Sequence, residues 1–169
     1  MAGIATVLMV LYAQFVLGHF SQGFYVKDGL NSLGLSFSYG QDEVAAFLYS
    51  RNVSQLWLYI DFLKVWDTIF PVVYTLMYVL WIVYLFEKRK IIILLPINRM
   101  VADWVENFFE ISLVENYINT LSIDSTMVSQ ASTFTSIKWI LSWLVYAIFL
   151  IGIFNLFKAK FKKDKGPKN

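Results

Sequence analysis

Five residues that could do chemistry fall close together in one apolar stretch: Arg99, Asp103, Glu106, Asn107 and Glu110. The surrounding segment, 91–121, is hydrophobic enough to read as membrane-spanning. Each ionisable group at the centre of such a segment costs roughly 2.5–3.5 kcal/mol to insert, so these groups face a bundle interior or a wet cavity. On a helix, Asp103, Glu106, Asn107 and Glu110 stand at i, i+3, i+4 and i+7 and share one face. Arg99, four residues before Asp103, lies on the same face. Asp67, Tyr74 and Lys138 occupy neighbouring hydrophobic segments at depths that could meet this stripe. The expected pairs are Lys138 with Glu106 or Glu110, Arg99 with Asp103, and Asp67 with Asn107 or Tyr74. Three to four carboxylates against two cations leave at least one acid in excess.

Such a set supports three kinds of role. It can bind a lipid-like ligand or a membrane partner through Asp67, Tyr74, Arg99, Asp103, Glu106, Asn107, Glu110 and Lys138. It can also perform acid–base catalysis on an apolar, sterol-like substrate, with Glu106 or Asp103 donating a proton and a second carboxylate accepting one. That isomerase-like role requires a cavity of roughly 300 Å³ or more beside Glu106, lined with Trp and Phe. Finally, buried ion pairs can do no more than fix helix register, as in an accessory subunit of a larger membrane complex. The composition restricts other chemistry. The chain has no cysteine and a single histidine, His19, which excludes thiolate chemistry, disulfides and any Cys- or multi-His-ligated metal within one chain. No metal and no cofactor is expected. Basic residues flank hydrophobic segments instead of forming a soluble face, so nucleic-acid binding has no support.

The elements that must position these residues are read from hydrophobic blocks. Of the 169 residues, 58% are hydrophobic and 18% aromatic, above the usual 45–50% apolar content of soluble domains. Four transmembrane helices are predicted at about 4–20, 56–86, 91–121 and 134–157. Residues 4–20 lack the basic start of a secretory signal and read as a retained span. Pro96 kinks or breaks the start of the third helix, and His19 and the 115–116 pair are expected at the interface or in solvent. Residues 21–55 form a polar excursion containing a short amphipathic helix at 41–50, with Asp42 and Glu43 in its first turn and Val44, Phe47 and Leu48 on one face. Residues 122–132 are expected to be a polar loop.

The 88–90 triplet and the 158–169 tail together hold nine Lys and Arg, whereas the 21–55 loop holds Lys27 and Arg51 and the 122–132 loop none. By the positive-inside rule both termini are cytoplasmic, and the short helix lies in the first exterior loop. The fold class is thus an all-α four-helix transmembrane bundle, one domain over 1–169, integral and multi-pass. Its expected partners are membrane lipids, an apolar small molecule, or a membrane protein or second copy of the chain. The absence of an internal repeat makes transport the least favoured role.

Several short motifs, in this order and spacing, resemble those of a group of small, functionally unnamed four-helix bacterial membrane proteins. They are Ser38-Tyr39 with Asp42-Glu43-Val44 and Phe47-Leu48; Leu58-Tyr59; Asp67, Phe70-Pro71 and Tyr74 (D-x-x-F-P-x-x-Y); Asp103, Glu106 and Asn107 (D-x-x-E-N); and Ala131, Ser132, Phe134, Thr135 and Lys138 (A-S-x-F-T-x-x-K). The resemblance covers about residues 38–140. It departs at Ser50-Arg51-Asn52, where the group has a Gly-containing turn. A looser likeness, to the EXPERA sterol isomerases and sterol-binding proteins, rests on four helices, a long first loop, an aromatic interior and a basic C-terminus, and it implies a sterol-like ligand or substrate.

Overall fold

A computed structural model describes residues 1–27, 29–86 and 90–164; the side chains of Lys90 and of 159–164 lie outside that description. The basic residues at 88 and 89, and the tail lysines beyond 158 that carry the topology signal, are therefore outside the described side chains. The described residues are helical, with no strand among them. We number the helices α1 (Ala2–Phe24), α2 (Gln41–Tyr49), α3 (Val53–Leu85), α4 (Leu94–Thr120) and α5 (Ser125–Asp164). Three of them, α1, α3 and α5, are long and apolar enough to cross a membrane. At 27 residues, α4 spans about 40 Å, but it carries the charged stripe.

Side-chain caps set the helix starts. Asn52 and Gln55 bond each other's backbone N–H groups at 2.9 and 3.1 Å, a capping box that opens α3. The Glu43 carboxylate accepts the Gly40 N–H at 2.9 Å and opens α2. Backbone N–H groups at the helix start hold its carboxyl below the usual range. Asp124 accepts from the N–H groups of Thr126 and Met127 at 2.7 and 3.1 Å. Because of this cap α5 begins at Ser125, and most of the loop expected at 122–132 is helix. Helix α4 ends at Leu121, which takes the left-handed conformation at φ 55° and donates to the Tyr117 carbonyl.

Helix α3 is irregular around Pro71, with a π turn over Phe62–Trp66. Proline removes one ladder donor, and carbonyls freed in an apolar setting need substitutes. The Thr68 hydroxyl donates to the Leu63 carbonyl at 2.7 Å, Tyr12 to the Trp66 carbonyl at 2.8 Å, and Trp104 to the Thr68 carbonyl at 2.9 Å. Two of these donors come from other helices, so the irregularity also ties α1 and α4 to α3.

One apolar core joins four of the helices. Val44, Phe47 and Leu48 of α2 pack with Leu56, Tyr59 and Ile60 of α3, Leu113 and Val114 of α4, and Val128 and Ala131 of α5. The amphipathic face read from the sequence is therefore the buried one. Arg51, exposed in any charge count, is buried here. It donates to the carbonyls of Phe24, Phe47 and Leu30 at 2.9, 2.9 and 2.6 Å, and its guanidinium lies over the Phe47 ring. It thereby supplies buried carbonyls of the first loop with donors, and Ser50 shares that of Phe47 at 2.9 Å. Burial lowers its pKa.

Candidate functional site

Helix α4 is inverted relative to a soluble amphipathic helix. Glu106 and Glu110 are each 1% exposed, whereas Phe108 between them is 64% exposed. Asp103 and Asn107 are buried with the glutamates, as the i, i+3, i+4, i+7 spacing requires. Lys138 of α5 sits against this face. Its Nζ lies 2.5 Å from Glu106 Oε2 and 3.6 Å from Asp103 Oδ1, and it donates to the Gly34 carbonyl at 2.9 Å. The expected pairing of Lys138 with Glu106 is the one formed. Glu106 Oε1 accepts from the Thr135 hydroxyl at 2.7 Å.

Glu110 is held differently, by phenols. Tyr59 donates to its Oε2 at 2.5 Å and Tyr39 to its Oε1 at 3.3 Å. Burial, and then the adjacent Glu110 charge, push the Tyr39 phenol up, so it remains a donor. Tyr74 donates to Asp103 Oδ2 at 2.6 Å. With Asp103 occupied by Tyr74 and Lys138, the expected Arg99–Asp103 ion pair does not form. The Arg99 guanidinium instead lies 3.8 Å from the centre of the Tyr74 ring, and 5.7 Å from the rings of Tyr78 and Tyr146. In a poorly solvated interior, a cation over an aromatic face gains about 2 kcal/mol, a workable substitute for a carboxylate already engaged elsewhere.

Asp67 is the acid left over. No Lys or Arg among the described residues lies within 4 Å of it, and the Tyr74 hydroxyl expected for it goes to Asp103. Asn107 is its neighbour. No hydrogen bond of regular geometry joins them, however, and the buried Asn107 Nδ2 is without a partner, as is Arg99 Nε.

These side chains surround a chamber of about 210 Å³, lined by Asp67, Arg99, Asp103, Asn107, Glu110 and Lys138, with Phe70 and Trp139 as its aromatic walls. It is smaller and more polar than the aromatic cavity that acid–base chemistry on a sterol-like substrate requires. Beside it lies a second, mainly apolar cavity of about 470 Å³, bounded by Leu17, Phe24, Tyr25 and Phe62. Ser32, Leu35, Asp67 and Phe70 line both.

A strap from the first loop closes one side. The 3-10 turn Leu33–Leu35 directs the Gly34 carbonyl at Lys138 and at Trp139 Nε1, the latter 3.3 Å away. Ser132 and Ser136 of α5 bond the backbone at Tyr39 and Phe37, and Phe37 stacks on Trp143. A Cβ at Gly34 would stand 2.8 Å from Glu106 Oε1 and 3.1 Å from Lys138 Nζ, so the close approach depends on glycine.

The structure thus brings together every candidate residue read from the sequence: Asp67, Tyr74, Arg99, Asp103, Glu106, Asn107, Glu110 and Lys138. Tyr59, Tyr39, Thr135 and Gly34 were not identified as partners by sequence reasoning. Tyr39, Tyr59 and Thr135 lie inside the quoted motifs, which is the only signal that pointed toward them. His19 is exposed, and Glu115 forms an exposed pair with Lys64 at 2.7 Å. Comparison with protein-family models, with curated proteins and with solved structures finds no match.

Proposed function

We propose that this chain is a multi-pass membrane protein that holds one lipid-like amphiphile, its polar end in the charged chamber and its chain in the adjoining apolar cavity. The carrying observation is the pair of cavities that share Ser32, Leu35, Asp67 and Phe70. Together they offer polar groups at one end and apolar walls at the other, in the size range of roughly 300–1,000 Å³ usual for small-molecule sites. The unpartnered Asn107 amide supports the reading, because buried donors are nearly always bonded in a complete structure. Helix α4 serves as a fourth span, since its apolar face is outward and its charges are inward. The charge bias of the 88–90 loop and the tail puts both termini on the cytoplasmic side. This four-span arrangement is the one implied by the resemblance to the small bacterial membrane proteins.

Native mass spectrometry of the protein, extracted in polymer discs without detergent, tests the reading. One amphiphile per chain, retained after bulk lipid is stripped, is the expected result. A chain that emerges bare, or carries only a stoichiometric protein companion, overturns it and leaves helix pairing as the role of the cluster.

A second reading, acid–base chemistry on the bound molecule, is favoured by one observation. Glu110 bonds Tyr59, and the Tyr59 hydroxyl lies 3.1 Å from Ser32 Oγ, which lines both cavities. A proton could pass along this path. Conversion of the retained molecule by wild type but not by Glu110→Gln would establish it.

A further inference from the structure

We propose that the amphiphile carries an ammonium group next to an oxygen acceptor, as in a long-chain vicinal amino alcohol, with the ammonium on Asp67 and the oxygen on Asn107 Nδ2. This inference rests on the amphiphile reading above and specifies its headgroup. It follows from accounting for the chamber's charges and hydrogen bonds. Glu106 is engaged by Lys138 and Thr135, Asp103 by Tyr74 and Lys138, and Glu110 by Tyr39 and Tyr59. Asp67 alone among the four carboxylates has neither an ion pair nor a hydrogen bond of regular geometry to any described residue, and it lies where the two cavities meet. The four carboxylates face only two cations, Lys138 and Arg99, so a ligand bearing one positive charge reduces the imbalance, whereas a carboxylate or phosphate increases it. Like-charge juxtaposition of that kind costs several kcal/mol in a desolvated site.

The aromatic wall favours the same sign. Phe70 lines the chamber beside Asp67, and ring faces attract cations. The second contact comes from Asn107. Asn107 is 4% exposed, lines the chamber, and has an amide N–H group without an acceptor. It is next to Asp67, so a group that pairs with the carboxylate places an adjacent oxygen within reach of the amide. An ammonium alone satisfies only the acid, and a hydroxyl alone leaves the charge unanswered. The amino alcohol satisfies both, and its chain then runs past Leu35 and Phe70 into the apolar cavity.

The test uses the full-length protein in bilayer discs and four probes of equal chain length: a vicinal amino alcohol, stearylamine, stearyl alcohol and stearate. Binding is read by displacement of a fluorescent fatty-chain reporter in wild type, Asp67→Asn and Asn107→Leu. In wild type the amino alcohol is expected to bind best, and stearate worst. Asp67→Asn is expected to weaken amino alcohol and amine about tenfold or more, with little change for the alcohol. Asn107→Leu is expected to remove the advantage of amino alcohol over amine. If stearyl alcohol or stearate binds wild type as well as the amino alcohol does, or if Asp67→Asn weakens all bound probes equally, the headgroup assignment is wrong and the amphiphile reading stands. If none of the four displaces the reporter from properly folded wild type, both fail together.

Discussion

Replacing Lys138 by Met tests how tightly the charged face of α4 is interlocked. At an effective dielectric of about 20, the 2.5 Å contact with Glu106 and the 3.6 Å contact with Asp103 represent gross attractions of about 7 and about 5 kcal/mol. Most of that is offset by the cost of taking three charges out of water. The net effect of deleting one partner is therefore smaller, about 3–5 kcal/mol, and comes chiefly from the acid left behind. Glu106, 1% exposed, would keep only its Thr135 bond, and the Gly34 carbonyl would lose its closest donor. The account predicts that Lys138→Met lowers the unfolding free energy by about 3–5 kcal/mol, measured by steric trapping in bilayer discs. It also predicts that Lys138→Met with Glu106→Gln recovers most of that loss, because removing both charges removes the unpaired one. A single variant within about 1 kcal/mol of wild type would refute the reasoning, since only solvated pairs are that cheap to break. A double variant no better than the single would show that the loss comes from packing of the lysine stem and not from Glu106.

Further predictions concern the strap and the capped end. Gly34→Ala forces a Cβ into contact with Glu106 and Lys138 and should cost about 1–3 kcal/mol, with faster proteolysis of the 32–39 loop as the readout. Arg51→Met strips the side-chain donor from the Phe24 and Leu30 carbonyls, while Ser50 still serves that of Phe47, and should cost about 2 kcal/mol or more in the same trapping assay. Lys64→Ala breaks only the exposed pair with Glu115 and should change stability by no more than about 1 kcal/mol. Glu43 has a folded pKa below its unfolded one. Its contribution is complete above the unfolded value and is lost as pH falls through the folded value. Wild type should therefore lose more stability than Glu43→Gln on acidification below about pH 4, and the two should run parallel at neutral pH.

Particular residues show what the sequence made legible. The inward stripe of α4 was readable because four polar residues at helical spacing in an apolar segment have one place to go. The buried face of α2 followed from the same periodicity at Val44, Phe47 and Leu48. Pairing was less legible, because it depends on competition: Tyr74 and Lys138 take Asp103, and Arg99 settles on the ring of Tyr74. Neither outcome is encoded in spacing. The start of α5 was misjudged because Ser, Thr and Gln at 125–132 resemble a loop. Those residues instead belong to the polar-flanked end of the bundle, where Asp124 caps the helix and Ser132 holds the strap. Arg51 reads as a loop charge in the sequence because nothing in its neighbours marks that the carbonyls of Phe24, Leu30 and Phe47 converge on it.

If the chamber holds a ligand, Asp67→Leu should empty it. Asp67 makes no ion pair with a described residue, and its protein partner is the neighbouring Asn107 amide. Stability and amphiphile retention would be measured on the same disc preparation, by steric trapping and native mass spectrometry. The retained amphiphile should be lost while the protein stays folded, with no destabilisation beyond that of losing its ligand. A destabilised protein that still carries its amphiphile would contradict it and assign Asp67 to helix pairing.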